Sequence, residues 1–248
     1  MMLKIIGSGT CVPSIKRSSP ANYIKTKEKQ ILVDCGAGTL IQLEKNGVSY
    51  KEIDIVCFSH YHTDHISDLN ALIQALNWTP KFDRKKDLVL IGHPGFRKFF
   101  QSYIEPRGGK ARPKTYKIII KEIKRELNFG NLAISSYKTK HAPESLAYRF
   151  SEGGKSLIIS GDTDFDPGLG EFSKNVDLLV LECAFANKDK EVGHLIPKEC
   201  GEIAKIANPK KLVLTHIYPL SSGEKRLQET KKLFKNTILA QDGMSFKI

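Results

Sequence analysis

The chain has 248 residues, 40% of them hydrophobic and 27% charged, which is the balance of a soluble globular protein and excludes a disordered or fibrous one. No apolar stretch reaches the roughly 20 residues that span a bilayer, and the opening MMLKIIGSGT meets its glycines too early for a signal peptide, so a cytoplasmic location is expected. Lys+Arg 39 against Asp+Glu 27 leaves a net charge of +12, which draws polyanions or phosphorylated substrates, although a lysine-rich surface also suits a proteome or a working temperature.

In chain order, LKIIGSG predicts a first strand, and NYIKT with QILVDCG predicts a hairpin around the polar KEK. TLIQLEKNG reads as a short helix closed by Gly47, and IDIVCFS as a buried strand. HISDLNALIQALNW carries Ile66, Leu69, Leu72, Ile73 and Leu76 at the spacing of one helix face. DLVLIG is then a strand and FRKFFQSYI a helix. TYKIIIKEI, NLAISSYKTKH, SLAYRF, KSLIISGD and DLLVLECAF follow as strands, several too apolar to be one-sided. Pro197 opens a helix through ECGEIAKIAN, KLVLTH is a strand, EKRLQETKKLF an amphipathic helix, and TILAQDG leads to a last strand. No repeat, low-complexity tract or linker divides this series, so one α/β domain over residues 1–248 is expected. Cys11, Cys35, Cys57, Cys183 and Cys200 form no CxxC pair, and read as reduced packing residues.

Polar, metal-capable residues recur where the buried strands stop: IVCFS ends at His60, LIISG at Asp162 and LVLT at His216. Rigid strands deliver side chains to a common rim, so these ends are candidates to share one site. The densest case is VCFSHYHTDHISD, residues 56–68. His60 and His62 lie two apart on one side of an extended loop, and Asp64 and His65 can turn toward a neighbouring position. A lone buried histidine is ordinarily a hydrogen-bonded core residue, but three histidines and an aspartate within six residues suit a two-metal site with nitrogen and oxygen donors.

HYHTDH resembles the HxHxDH signature of the metallo-β-lactamase superfamily, and His141, Asp162 and His216 stand in the order of that family's later ligands. The resemblance runs from LKIIGSGT and ILVDCGAGT through SHYHTDH and SGDT to LTH. It implies a four-layer αββα sandwich with metals at one edge of its two sheets. His60, His62 and His141 would take one metal, Asp64, His65 and His216 the second, and Asp162 would bridge. Histidine at position 62, where iron-using members commonly carry glutamate, favours two zinc ions (Zn²⁺), with manganese (Mn²⁺) as the alternative. Such a pair generates hydroxide near neutral pH, which serves phosphodiesters, thioesters, lactones and β-lactams alike.

LLVLECAF and GHLIPKE resemble the ribonuclease Z branch, in which a glutamate and a histidine pair beside the metals; here these would be Glu182 and His194. Such a histidine can protonate a departing alkoxide, with Asp64 orienting the attacking hydroxide. The bland alternative has Glu182 satisfying backbone donors and His194 capping the next helix. His93, in IGHPG, reads as a turn residue. The ending through DGM resembles the same branch. Two features depart from it: APESLAYRFSEGGKSLIISG leaves no room for the long tRNA-gripping arm, and DCGAGT replaces DCGEGT. Both favour a small cyclic phosphodiester, thioester or lactone over tRNA, whereas RGGKARPKTYK, residues 107–117, with five basic residues and no acidic one, could track an RNA backbone or be a solvated loop. The expected partner is thus a phosphodiester, with tRNA 3′ processing in view and a homodimer implied by the branch. A nucleic-acid-binding protein with structural metals and little turnover is the reading of another class, and a ligand set with open positions argues against it.

Overall fold

The computed structural model describes residues 1–104, 113–219 and 223–248; most of the basic stretch 107–117 lies outside these residues. The first half supplies β1 (Met2–Gly7), β2 (Ala21–Lys25), β3 (Gln30–Val33), β4 (Ile55–Cys57), β5 (Leu88–Gly92) and β6 (Ile118–Glu122). Its helices are α1 (Thr39–Lys45), α2 (Thr63–Ile66), α3 (Leu69–Trp78) and α4 (Phe96–Ile104). The second half supplies β7 (Glu126–Phe129), β8 (Leu132–Lys138), β9 (Leu146–Glu152), β10 (Lys155–Ile159), β11 (Leu178–Glu182), β12 (Lys211–Thr215) and β13 (Thr237–Leu239). Its helices are α5 (Pro167–Phe172), α6 (Pro197–Ala207) and α7 (Gly223–Lys231), and a final strand, β14 (Ser245–Lys247), returns to the first half beside β1.

Two seven-stranded sheets result, ordered β14-β1-β2-β3-β4-β5-β6 and β13-β12-β11-β10-β9-β8-β7. Strands β3 to β6 run parallel, as do β10 to β13, so each sheet delivers a row of C-terminal strand ends to one side. Side chains alternate across each strand. Ile55 and Cys57 of β4, with Leu157 and Val180 opposite, fill the space between the sheets. Val56 faces outward onto Leu69, Leu72, Ile73 and Leu76 of α3. Leu179 and Leu181 face outward onto Leu169 of α5 and Ile203 and Ala204 of α6. Three apolar clusters therefore separate four layers, the αββα sandwich implied by the sequence. Continuously apolar strands are the correct signal for it, since both faces are covered.

Three details differ from the sequence reading. The apolar stripe from Ile66 to Leu76 is one buried face, but α2 and α3 are separate helices. Asp68 divides them: its N–H bonds the carbonyl of Cys35 and its carboxylate accepts the N–H of Leu40. β7 is a short edge strand whose side chains alternate between exposed and half-buried, and α5 (PGLGEF) holds two helix-weakening glycines, so neither carries a strong local signal. α5 forms because Pro167 fits its first turn and Asp166 accepts the N–H of Gly168 at 3.0 Å. All five cysteines are free, and four are buried. No helix among the described residues is long and apolar enough to cross a membrane.

Candidate metal centre

The loop after β4 is shaped by its neighbour β3. Their parallel register sets Val33 opposite Cys57, so Asp34 emerges beside Phe58, one residue short of Ser59. The Asp34 carboxylate accepts the Ser59 N–H at 2.8 Å, the Ser59 hydroxyl at 2.9 Å and the His65 Nδ1 proton at 2.8 Å. Gly36 allows the following turn to pass beneath α2, because a Cβ there would lie 1.9 Å from the carbonyl oxygen of Asp64. His60, His62, Asp64 and His65 thus leave one short segment braced from below.

The second sheet supplies the rest of the cluster. His141 follows β8, Asp162 follows β10 and His216 follows β12. Among the described residues five groups of three have donor atoms within 4.8 Å of one another and could hold a metal: His60, His62 and His141; His60, His65 and Asp162; Asp64, His65 and His216; and two that include His194, one with His141 and Asp162 and one with Glu182 and His216. Asp162 stands between them, 3.8 Å from His60 Nε2 and His141 Nε2 and 3.4 Å from His65 Nε2 and His216 Nε2. Six of the chain's seven histidines gather here; His93 stays apart, its Nδ1 on the carbonyl of Pro94.

The donor set fits divalent ions. His60 commits Nδ1 to Ser59 (3.1 Å), His65 to Asp34 and His141 to the carbonyl of Gly193 (2.9 Å), so each keeps Nε2 for the centre. Nε2 of His60, His65 and His216 is buried without a hydrogen-bond partner, a costly state for a polar atom unless a cation takes the lone pair. His62 Nδ1 and His141 Nε2 face each other at 3.1 Å. His216 also holds a left-handed backbone (φ 56°), a strained state of the kind that clusters at functional sites. His62 is exposed, which leaves that side of the cluster open to solvent.

The electrostatics follow from crowding. Burial and the neighbouring imidazole of His65 drive His60 far below the usual histidine range, which keeps its ring neutral. Burial works the same way on His65, but the charges of Asp162 and Asp34 outweigh it and raise this group. For Asp162 burial alone would favour the neutral acid, yet His216 and His65 pull it well below the carboxylate range.

Glu182, the last residue of β11, lies beside this cluster with His194. Its Oε1 accepts His194 Nδ1 at 2.9 Å and the Thr163 N–H at 2.8 Å. Oε2 accepts the N–H groups of Leu195 at 3.2 Å and Ala184 at 3.3 Å. Glu182 therefore satisfies backbone donors and holds the imidazole as well. His194 does not cap α6: that helix begins at Pro197, and the preceding N–H of Ile196 goes to Glu199. Burial lowers His194, but the hydrogen bond and charge of Glu182 more than offset this and raise it. Asp34 has no role in the sequence reading; its one signal is a lone acidic residue closing the apolar run ILV.

A two-sheet sandwich with a histidine and aspartate cluster at its strand ends defines a metal-dependent hydrolase of the metallo-β-lactamase fold. Residues 29–217 match the family model described as "Beta-lactamase superfamily domain", and the chain belongs to that superfamily. It is 30% identical to the probable metallo-hydrolase YhfI of Bacillus subtilis, with 98% of each chain covered. The crystal structure of YhfI superposes with a TM-score of 0.86 over 99% of both chains. The ribonuclease Z of Archaeoglobus fulgidus is 26% identical, covering 100% of this chain and 98% of that one. The crystal structure of the short form of human tRNase Z shares the fold, with a TM-score of 0.82 at 22% identity over 100% of this chain and 99% of that one.

Proposed function

We propose that the protein is a zinc-dependent phosphodiesterase of the ribonuclease Z type, active on RNA and carrying two zinc ions, with manganese as the alternative. The observation that carries this reading is the Glu182–His194 pair, 2.9 Å apart and beside the cluster. A thioester expels a thiolate that needs no histidine held for proton donation, whereas the alkoxide of a phosphodiester needs one.

His60, His62 and His141 would hold one ion, Asp64, His65 and His216 the other, with Asp162 between them. The ions would supply Lewis acidity and an acidified water. Asp64, whose Oδ2 lies 3.5 Å from His216 Nε2, would orient that water toward phosphorus. His194 has Nδ1 tied to Glu182, so it would hold the transferable proton on Nε2. As the P–O bond to the leaving oxygen breaks, that proton passes to the alkoxide and leaves a neutral ring. Phe185 and Tyr218 stack at 4.8 Å, and both rings lie near His194, an aromatic surface on which a base adjoining the scissile diester can stack.

A smaller diester is favoured by one specific observation. The alignment with the A. fulgidus ribonuclease Z runs over 310 positions against this chain's 248 residues, so that relative carries extra segments. The alignment with YhfI runs over only 249.

Metal content measured together with a substrate panel tests the reading. Two zinc ions per chain and cleavage of both bis(p-nitrophenyl) phosphate and a 3′-extended tRNA are expected. Activity on the aryl diester alone would remove tRNA, and turnover of a thioester or lactone alone would remove the phosphodiesterase. His194→Ala should keep its metal and lose turnover of RNA, whose leaving alkoxide needs the proton, by about 10²- to 10⁴-fold. Asp64→Ala should lose both, and wild-type rates in that protein would end the two-metal proposal.

A further inference from the structure

We infer that Lys190 is a positioning residue that locks the His194 loop against the strand ends, so that the imidazole is held in register for proton transfer. This rests on the assignment of His194 as proton donor. The Lys190 ammonium lies 2.7 Å from Asp164 Oδ1, 2.6 Å from Glu199 Oε2 and 2.5 Å from the carbonyl oxygen of His194 itself. An ammonium has three N–H donors, and here three protein oxygens match them. A lysine beside a phosphodiesterase site is ordinarily read as a phosphate ligand, but this one has no proton left to offer a substrate.

Its three partners belong to three elements that must keep their places. Asp164 lies two residues beyond Asp162, and its other oxygen accepts the Gly193 N–H at 2.8 Å. The carbonyl of Gly193 accepts His141 Nδ1 at 2.9 Å, so this one residue touches both the metal cluster and the lysine network. Gly193 takes φ 88°, and a Cβ there would lie 3.1 Å from His141 Nδ1. Glu199 belongs to the first turn of α6 and also accepts the Ile196 N–H at 3.2 Å. Between residues 190 and 199 the loop is therefore tied on both sides of His194. Without the ammonium, two carboxylates face each other uncompensated and the His194 carbonyl loses its donor. Glu182 holds the ring and the Leu195 N–H, but the His194 carbonyl and the ties to Asp164 and Glu199 depend on the ammonium, and a ring on a loosened backbone forfeits the alignment on which proton transfer depends.

The test compares Lys190→Met, Lys190→Arg and His194→Ala on two substrates. Bis(p-nitrophenyl) phosphate releases a nitrophenolate that needs no proton; an RNA cleaved by the wild type releases an alkoxide that does. Lys190→Met should lose about 10- to 100-fold in kcat on RNA and less than about threefold on the aryl diester, with KM and metal content unchanged. Lys190→Arg should recover part of the loss. Glu199→Gln should show the same split in smaller measure, and serves if the methionine variant does not fold. Equal losses on both substrates, loss of metal, or no loss while His194→Ala shows the split would overturn the inference. If His194→Ala shows no split, or no RNA is cleaved, it is the reading of the site that fails first.

Discussion

A carboxylate that never meets the substrate can still govern a metal centre. Asp34 accepts His65 Nδ1 and two donors of Ser59, which fixes the tautomer and the tilt of a ring offering Nε2 to the cluster. Such partners typically contribute 10- to 100-fold in metal affinity. Asp34→Asn should therefore bind zinc about 10- to 100-fold more weakly in a chelator competition, and unchanged affinity would reduce Asp34 to a fold-stabilising residue. The contrast with HYHTDH is instructive. Those four candidate ligands are legible because they lie within six residues, whereas Asp34 reaches His65 only through the β3–β4 register. His194 needed the resemblance of GHLIPKE to a known pattern; its partner Glu182 lies twelve positions earlier, at the end of another strand. Lys190 had no signal at all, since one lysine among many is indistinguishable until its three acceptors are in place.

Asp177 shows how an element is held before any site exists. It sits at the start of β11, accepts the Ser156 N–H of β10 at 2.9 Å, and pairs with Lys210 at 2.8 Å and Lys155 at 3.5 Å. Burial by itself would raise its pKa, but Lys210 and the Ser156 N–H hold it below the usual 3.8. A carboxylate depressed on folding stabilises the fold above its unfolded pKa, and that contribution is lost as pH falls through the folded value. Asp177→Asn should therefore melt below wild type near neutral pH, with the gap closing only as pH drops beneath 3.8. Thermal scans from pH 7 to about 2 check this, and a gap that persists to the lowest pH would mean the charge is not what counts. At this scale the long apolar strands and α6 were readable from periodicity and Pro197. The break between α2 and α3 was not, because it depends on bonds from Asp68 to Cys35 and Leu40.

For the molecule as a whole, the candidate ligands come from both sheets: His60, His62, Asp64 and His65 from the first, His141, Asp162 and His216 from the second. Ions shared between them would staple the sandwich along one edge. Binding at 1,000 times Kd adds about 4 kcal/mol to stability, and in a protein of this size each kcal/mol moves Tm by about 2–4 °C. Removing the metals with a chelator should thus lower Tm by on the order of 10 °C, reversibly on adding zinc. A metal-free protein that melts at the same temperature would deny the staple. The layered α/β class and the residue types at the strand ends are legible in the chain alone, because apolar periodicity and a six-residue histidine cluster are local properties. Which strand ends meet, that Asp34 stands behind His65, and that Lys190 clamps the His194 loop emerge only on folding. Those relations depend on sheet register and on side chains distant in sequence converging in space, which no local pattern encodes.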